Sequence, residues 1–371
     1  MKRLLFINNY DMAKSRESYL KGNSPSHHQF GTSELLETGE YTVDYILASP
    51  KSFNNKILKL LSLFPIWFQI YKKAHKYDIV YGGADFTVDF LGFMKKLGLF
   101  RPKLVAIFHH PPFPFRLKHE KYNHIIFLSP FSYKEMIQLF PTKAAHMRFI
   151  QWGPDLSFYE RQAPVPNYMK TQNDIIFISN GKTKRDHESL VNAAENIKAH
   201  TIIVCDEHSL PQNYHKNKCN NVEIFYQNRP DDTQMVKLLN KCSVLIVPTS
   251  ATPHKLGPIG LTSFLDTIAL GMPIITASNT VFTDIVISYR MGLVYKAGDT
   301  NDLKRAMTFF IENPEYITEY GKNAYEFGQK NDIKVFAKQL YQLFELLWGI
   351  ERSGFFNGRE KWAKGFENQR V

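Results

Sequence analysis

Residues 257–276 read "GPIGLTSFLDTIALGMPIIT". Glycines and a proline lead straight into an apolar helical stretch with one carboxylate, Asp266, which breaks at Gly271-Met272-Pro273 before a β-branched strand. Such a loop, opening a helix whose first N–H groups lack partners, predicts that something is held at the helix start.

The same rhythm extends outward in both directions. Before it lie the strand candidates "DIIFIS", "TIIVCD", "NVEIFY" and "SVLIVP", separated by the helical stretches "DHESLVNAAENIK" and "DDTQMVKLLNKC". The first half repeats the pattern with "RLLFIN", "YTVDYIL", "DIVYG", "KLVAIF", "HIIFLS" and "MRFIQW". Continuous apolar strands alternating with longer segments predict parallel sheets covered by crossover helices. At 371 residues the chain exceeds what one core usually holds, so two doubly wound α/β domains are expected. The Pro- and Asn-rich "RQAPVPNYMKTQND" reads as an interdomain linker. Near the end, Ile333, Phe336, Leu340, Leu343, Phe344 and Leu347 fall at helical spacing behind Asp332, a candidate cap. The expected division is a first domain over residues 1–152, a second over 153–330, and a helix and tail over 331–371 that pack back.

Composition narrows the classes. Hydrophobic content of 44% and charged content of 22% are those of a folded globular chain. Cys205, Cys219 and Cys242 suit neither a disulfide framework nor a zinc site, which fits a reducing, cytoplasmic setting. The opening "MKRLLFINNY" is too short and too interrupted for a signal peptide or a membrane span. The charge is lopsided. Residues 1–152 carry 21 Lys and Arg against 11 Asp and Glu, and residues 153–371 carry 25 against 24. Residues 45–77 hold six lysines and no carboxylate among Leu, Ile, Phe and Trp, with Pro65 interrupting any single helix. That stretch reads either as a surface for an anionic bilayer, making the protein peripheral, or as a core helix with a solvated basic face. The aromatics follow core-strand patterns without any nucleic-acid motif, so nucleic acid is not an expected partner.

No G-x-G-x-x-G follows the first strand, no P-loop is present and no Asp-x-Asp pair occurs, so neither dehydrogenase nor P-loop chemistry is indicated and no metal ligand set is expected. In an open α/β sheet the ligand crevice lies at the carboxyl ends of the strands. Two loops qualify: "SNGKTKRDHESL", with Gly181 ahead of Lys182, Lys184 and Arg185, and the stretch quoted at the outset.

These two loops, "FISNGKTKRDHESLVNAAENI" and "SVLIVPTSATPHKLGPIGLTSFLDTIALGMPIIT", resemble the carboxyl-terminal domain of family 4 glycosyltransferases of the GT-B fold. "FIQWGPDLSFY" is similar to that family's Gly-x-Asp crossing between domains, and "HIIFLSPFSYKEMIQLF" is similar to its first domain. The resemblance implies two Rossmann-like domains with a cleft between them. It implies a nucleotide sugar donor, retention of anomeric configuration, and no cofactor or metal. Gly181, Lys182 and Arg185 match the positions that meet the nucleotide diphosphate, and Asp266 matches the carboxylate that holds the ribose. The family's first carboxylate falls at Pro258, a departure. Gly260, Leu261 and Thr262 then offer loop N–H groups to sugar or phosphate oxygens. His109 matches a histidine that reaches toward the donor sugar, with acceptor contact and a purely structural place as the alternatives. His27 and His28 resemble the position of an acceptor loop, or belong to a solvated loop. The function implied is a glycosyltransferase acting on a glycan or lipid-linked acceptor, in cell-surface glycan or polysaccharide synthesis. A non-catalytic partner subunit of an active transferase and a sugar-nucleotide epimerase of the same fold are the alternatives.

Overall fold

In this computed structural model, residues 1–49, 63–109, 114–170, 174–181, 185–195, 197–211, 220–252 and 259–352 are described. Their strands form two sheets of six. The first contains β1 (Lys2–Asn8), β2 (Tyr41–Leu47), β3 (Ile79–Gly82), β4 (Lys103–Phe108), β5 (His124–Phe127) and β6 (Met147–Phe149), in the order β2-β1-β3-β4-β5-β6. The second contains β7 (Ile176–Asn180), β8 (His200–Val204), β9 (Val222–Phe225), β10 (Val244–Val247), β11 (Ile274–Ala277) and β12 (Gly292–Tyr295), in the order β12-β11-β10-β7-β8-β9. Adjacent strands are parallel throughout. Central strands such as β1, β4 and β10 are buried on both faces, which is why their sequences are continuous apolar runs. The edge strand β12 is a sixth strand in the second sheet, beyond the five candidates in the sequence. It is only half-buried, and its short "GLVY" carries little strand signal.

The strand order reverses between β1 and β3 in the first sheet and between β7 and β10 in the second. These are the points where loops diverge and a crevice opens. Two apolar layers each belong to one sheet: one includes Leu5, Val80 and Phe127, the other Phe177, Ile203 and Ile246. A third layer joins the remaining faces of both sheets through Trp152, Phe158, Tyr159, Phe336 and Phe344.

The chain crosses between the sheets twice, side by side. A Cβ on Gly153 would stand 1.5 Å from the Asn331 carbonyl oxygen, so only glycine admits the two strands at this spacing. The Ile333 N–H donates to Pro154 O at 2.8 Å and locks the pair. Asp332 then accepts from the Lys334 N–H at 2.6 Å, and the helix Ile333–Arg352 returns over the first domain. There Phe336, Ala337 and Leu340 close on Gly31, and Tyr41 donates to Glu345 at 2.6 Å. The Pro- and Asn-rich stretch after the crossing is not a loose linker. The helix Leu156–Gln162 leading into it packs into the joint core, and the Asn167 side chain donates to the carbonyls of Leu239 and Cys242 at 3.3 and 2.8 Å.

Candidate functional site

At the switch point of the second sheet, β7 ends in Asn180-Gly181 and β10 runs toward the helix Leu261–Leu270. Gly260 caps that helix at φ +86°, and a Cβ there would meet Val247 at 2.5 Å. The position therefore demands glycine both for its backbone angle and for space. Among the described residues no side chain caps the helix N-terminus, which leaves its first N–H groups without intrahelical partners. Leu261 is buried there and Thr262 is exposed. Gly271 ends the helix at φ +66°, again in the left-handed region.

Arg185 lies against this helix start. One guanidinium nitrogen donates to the Asn180 carbonyl and to Ser263 Oγ, both at 3.2 Å, and Ser263 Oγ donates to the same carbonyl at 3.0 Å. A Cβ on Gly181 would fall 2.6 Å from the guanidinium, so glycine at 181 makes room for the cation. Burial lowers the Arg185 pKa to about 10, which still leaves it charged at neutral pH. A buried cation and a helix N-terminus thus converge on one spot. Each attracts an anion and neither stabilises the other. Asp186 joins the loop to the sheet, its N–H bonded to Pro248 O at 3.1 Å and its carboxylate capping the helix His187–Ala194.

Asp266, one turn into the helix Leu261–Leu270, is buried. Its Oδ1 accepts from the Tyr159 hydroxyl at 2.6 Å and its Oδ2 from the Asn180 amide at 2.8 Å. Burial raises its pKa to about 6, with both donors opposing the rise. Asp266 therefore ties the crossing helix to the end of β7. Tyr159, Asn180 and Ser263 were not among the sequence candidates.

The first domain contributes differently. His27 sits in the short 3-10 turn Ser26–Gln29 and is 1% exposed. Its Nδ1 accepts from the Asp155 N–H at 3.2 Å, its carbonyl accepts from Trp152 Nε1 at 3.2 Å, and its ring stacks on Tyr159 at 6.2 Å. This corrects the expectation of a solvated loop at His27. The apolar residues after the crossing cover His27, and burial pushes its pKa well below the ordinary value. Asp155 braces the same turn, accepting from the Ser26 N–H at 2.8 Å and capping its own helix through Phe158. His28 is partly exposed, with Nε2 4.0 Å from Asp232 of the second domain. His109, at the end of β4, bonds the Gly83 carbonyl at 2.8 Å and meets the Phe30 ring edge-on at 5.9 Å. Those contacts lie within the first domain. The domains also touch where Ser129 reaches Val281 O at 3.5 Å. Lys182, Lys184 and Pro258 lie outside the described residues. So do Cys219 and residues 50–62 of the basic stretch.

The family model described as glycosyl transferases group 1 matches residues 159–327. That span carries a glycosyl transferases group 1 domain. The matched span runs from Tyr159 to Phe327, so it contains Gly181, Arg185, Gly260, Ser263 and Asp266, while the three histidines lie outside it. No curated protein sequence matches the transferase. Among solved structures it is similar to sucrose-phosphate synthase from Thermosynechococcus elongatus, with a TM-score of 0.69 and 17% identity, covering 94% of this chain and 100% of that one. It is likewise similar to Anabaena HepE in complex with UDP-glucose, at a TM-score of 0.65 and 17% identity over 94% and 100% of the two chains. A putative UDP-N-acetylglucosamine 2-epimerase from Listeria monocytogenes gives a TM-score of 0.60 at 11% identity over 94% and 97%. At these identities the likeness is one of fold, and the fold is GT-B. Among the described residues no cluster of side chains is arranged to hold a metal ion, and no helix is long and apolar enough to cross a membrane.

Proposed function

We propose that the transferase binds a nucleotide diphosphate sugar at the switch point of its second sheet and passes the sugar to an acceptor held by the first domain. The reading rests on one observation: the buried Arg185 guanidinium, seated on Gly181, meets the N-terminus of the helix Leu261–Leu270. As the bond to the sugar stretches, the departing diphosphate gains negative charge. Fixed positive groups in a closed cleft stabilise that charge more in the transition state than in the ground state. Lys182, next to Gly181 in sequence, would add a second cation. Each Asp266 oxygen accepts one bond from the protein and keeps lone-pair capacity for a ribose hydroxyl. With charge neutralised by side chains and a helix, the reaction proposed needs no metal and no cofactor, and it retains anomeric configuration. The acceptor proposed is a glycan or a lipid-linked glycan.

The Anabaena protein's complex with UDP-glucose makes uridine nucleotides the first to try. Melting temperature is measured against a panel of nucleoside diphosphates and nucleotide sugars. A ligand present at 100 times its Kd raises stability by about 2.7 kcal/mol. A shift with one base that disappears in Asp266→Ala supports the assignment, and activity should survive a chelator. No shift with any nucleotide overturns it in favour of a non-catalytic partner subunit. Conversion of the sugar nucleotide without any acceptor would identify an epimerase instead.

A further inference from the structure

The first domain carries an outer face that the transfer reaction leaves unused. The helix Leu63–Ala74 packs Ile70 and Ala74 into the core and turns Phe64 and Phe68 outward at 52% and 55% exposure. Lys72 continues that side, its ammonium 4.4 Å from the Phe68 ring centroid, and Lys73 is exposed beside it. The neighbouring helix Asp89–Lys96 joins through Phe90, which stacks on Trp67 at 5.8 Å, and it turns Phe93 and then Leu97 into solvent. Exposed aromatics at this density are uncommon on a protein surface with no partner.

The charge on this face has one sign. The helix Leu63–Ala74 contains no carboxylate, and the single one on the other helix, Asp89, is turned inward to Arg116. Where the helix Asp89–Lys96 ends lies a cavity of about 380 Å³ whose lining sets Lys96, Lys118, Lys121, Lys143 and His146 beside Leu117, Tyr122 and Ile125; the Lys96 ammonium donates to the Lys118 carbonyl and that of Lys143 to the carbonyls of Leu117 and Glu120. Glu120 also borders it, but its carboxylate is taken by Arg116 and Tyr122. A second copy of the chain would bring lysines against lysines, so self-association is not what this face fits. Exposed Phe above a belt of lysines matches the boundary of an anionic bilayer, where rings enter the headgroup layer and ammonium groups meet phosphates.

We propose that this face, built from the helices Leu63–Ala74 and Asp89–Lys96, docks the protein on an anionic lipid surface, with the lysine-walled cavity receiving a phosphate headgroup. The docking is independent of the donor assignment, but it would bring the first domain to a lipid-linked acceptor. Each lysine at the surface is expected to change partitioning about five-fold, and insertion of two aromatic rings adds an apolar part that salt does not remove.

The full chain is floated with vesicles of phosphatidylcholine alone and of phosphatidylcholine and phosphatidylglycerol in equal parts. Binding is expected only to the second kind. Phe64→Ser with Phe68→Ser should reduce it at least about ten-fold, and Lys72→Glu with Lys73→Glu by about 25-fold or more, consistent with the per-lysine effect. Lys118→Glu with Lys121→Glu tests the cavity and should also weaken binding. Circular dichroism and the nucleotide-dependent melting shift, both expected unchanged, separate a lost surface from a lost fold or a lost donor site. Equal binding to both vesicles, no binding to either, or full binding by the aromatic variant overturns the proposal. So does capture of a soluble acidic protein by the chain with no vesicle binding.

Discussion

Two arginines show how differently the two domains use charge. In the first domain Arg116 stands among three carboxylates, with Asp85 at 2.6 Å, Glu120 at 3.4 Å and Asp89 in close contact. Burial pushes the Asp89 carboxyl up to about 8, with Arg116 opposing the rise and the neighbouring acids adding to it. In the second domain the described bonds of Arg185 go to a carbonyl and a hydroxyl, next to a helix N-terminus. Arg116 is a cross-link that answers charges of its own fold. Arg185 adds to a positive spot that a ligand can answer. Both sheets are doubly wound, so the fold alone does not distinguish a structural arginine from a functional one.

Removing each guanidinium separates the two roles and gives the largest effects. Arg116→Gln leaves three crowded carboxylates without their cation, and a loss of about 3–5 kcal/mol is expected in urea unfolding at neutral pH. Its nucleotide affinity, measured by calorimetry under conditions where it is folded, should be unchanged. Arg185→Gln should do the reverse. Loss of a charged hydrogen bond to a diphosphate costs about 1.5–3 kcal/mol, or roughly 10- to 150-fold in Kd, with little change in unfolding free energy. Equal stability losses in the two variants would erase the distinction.

The next contrast concerns the tie between the crossing helix and the second sheet. Tyr159→Phe deletes one of two donors to Asp266, and a stability loss of about 1–2 kcal/mol is expected. The sign of its pH dependence is fixed. The Tyr159 bond lowers the Asp266 pKa, so it stabilises the ionised carboxylate more than the acid. The loss should therefore be larger at pH 7.5 than at pH 5, below the value of about 6 where Asp266 takes up a proton. Equal losses at both pH values would mean that the hydroxyl does not bond the charged form.

How far the sequence could reveal these roles depends on whether the signal is local. The alternation of apolar strands with helices lies within short windows, and all six strands of the first sheet were readable there. The turn glycines 260 and 271 and the carboxylate at 266 announce a loop-to-helix site within one short window, and Gly181 beside Lys182 and Arg185 announces a second. The partners of Asp266 do not. Tyr159 and Asn180 lie 107 and 86 residues away, and nothing near either one marks it as a donor to a distant carboxylate. His27 was obscured by its neighbours. "SPSHHQ" looks like a solvated loop because its covering residues, Trp152 and Tyr159, come only at the crossing to the second domain, far along the chain.

That misreading leads to the smallest of the expected effects. His27 is held neutral by burial, with His28 adding to the same direction, so its folded pKa lies well below 6.5. In the unfolded chain it titrates near 6.5. Below that pH the unfolded state binds a proton that the folded state refuses, so this histidine removes stability as the pH falls and contributes no slope above it. His27→Asn keeps an amide oxygen near the place of Nδ1 to accept from Asp155 but cannot take up the proton. The gap in unfolding free energy between parent and variant should stay constant from pH 8 to 7. It should then shift against the parent by up to about 1.4 kcal/mol per pH unit below 6.5. A histidine lining an open acceptor cleft would protonate freely in both states and give parallel curves. The slope thus tests whether the first domain uses His27 as a buried brace for the crossing or as a group that meets the acceptor.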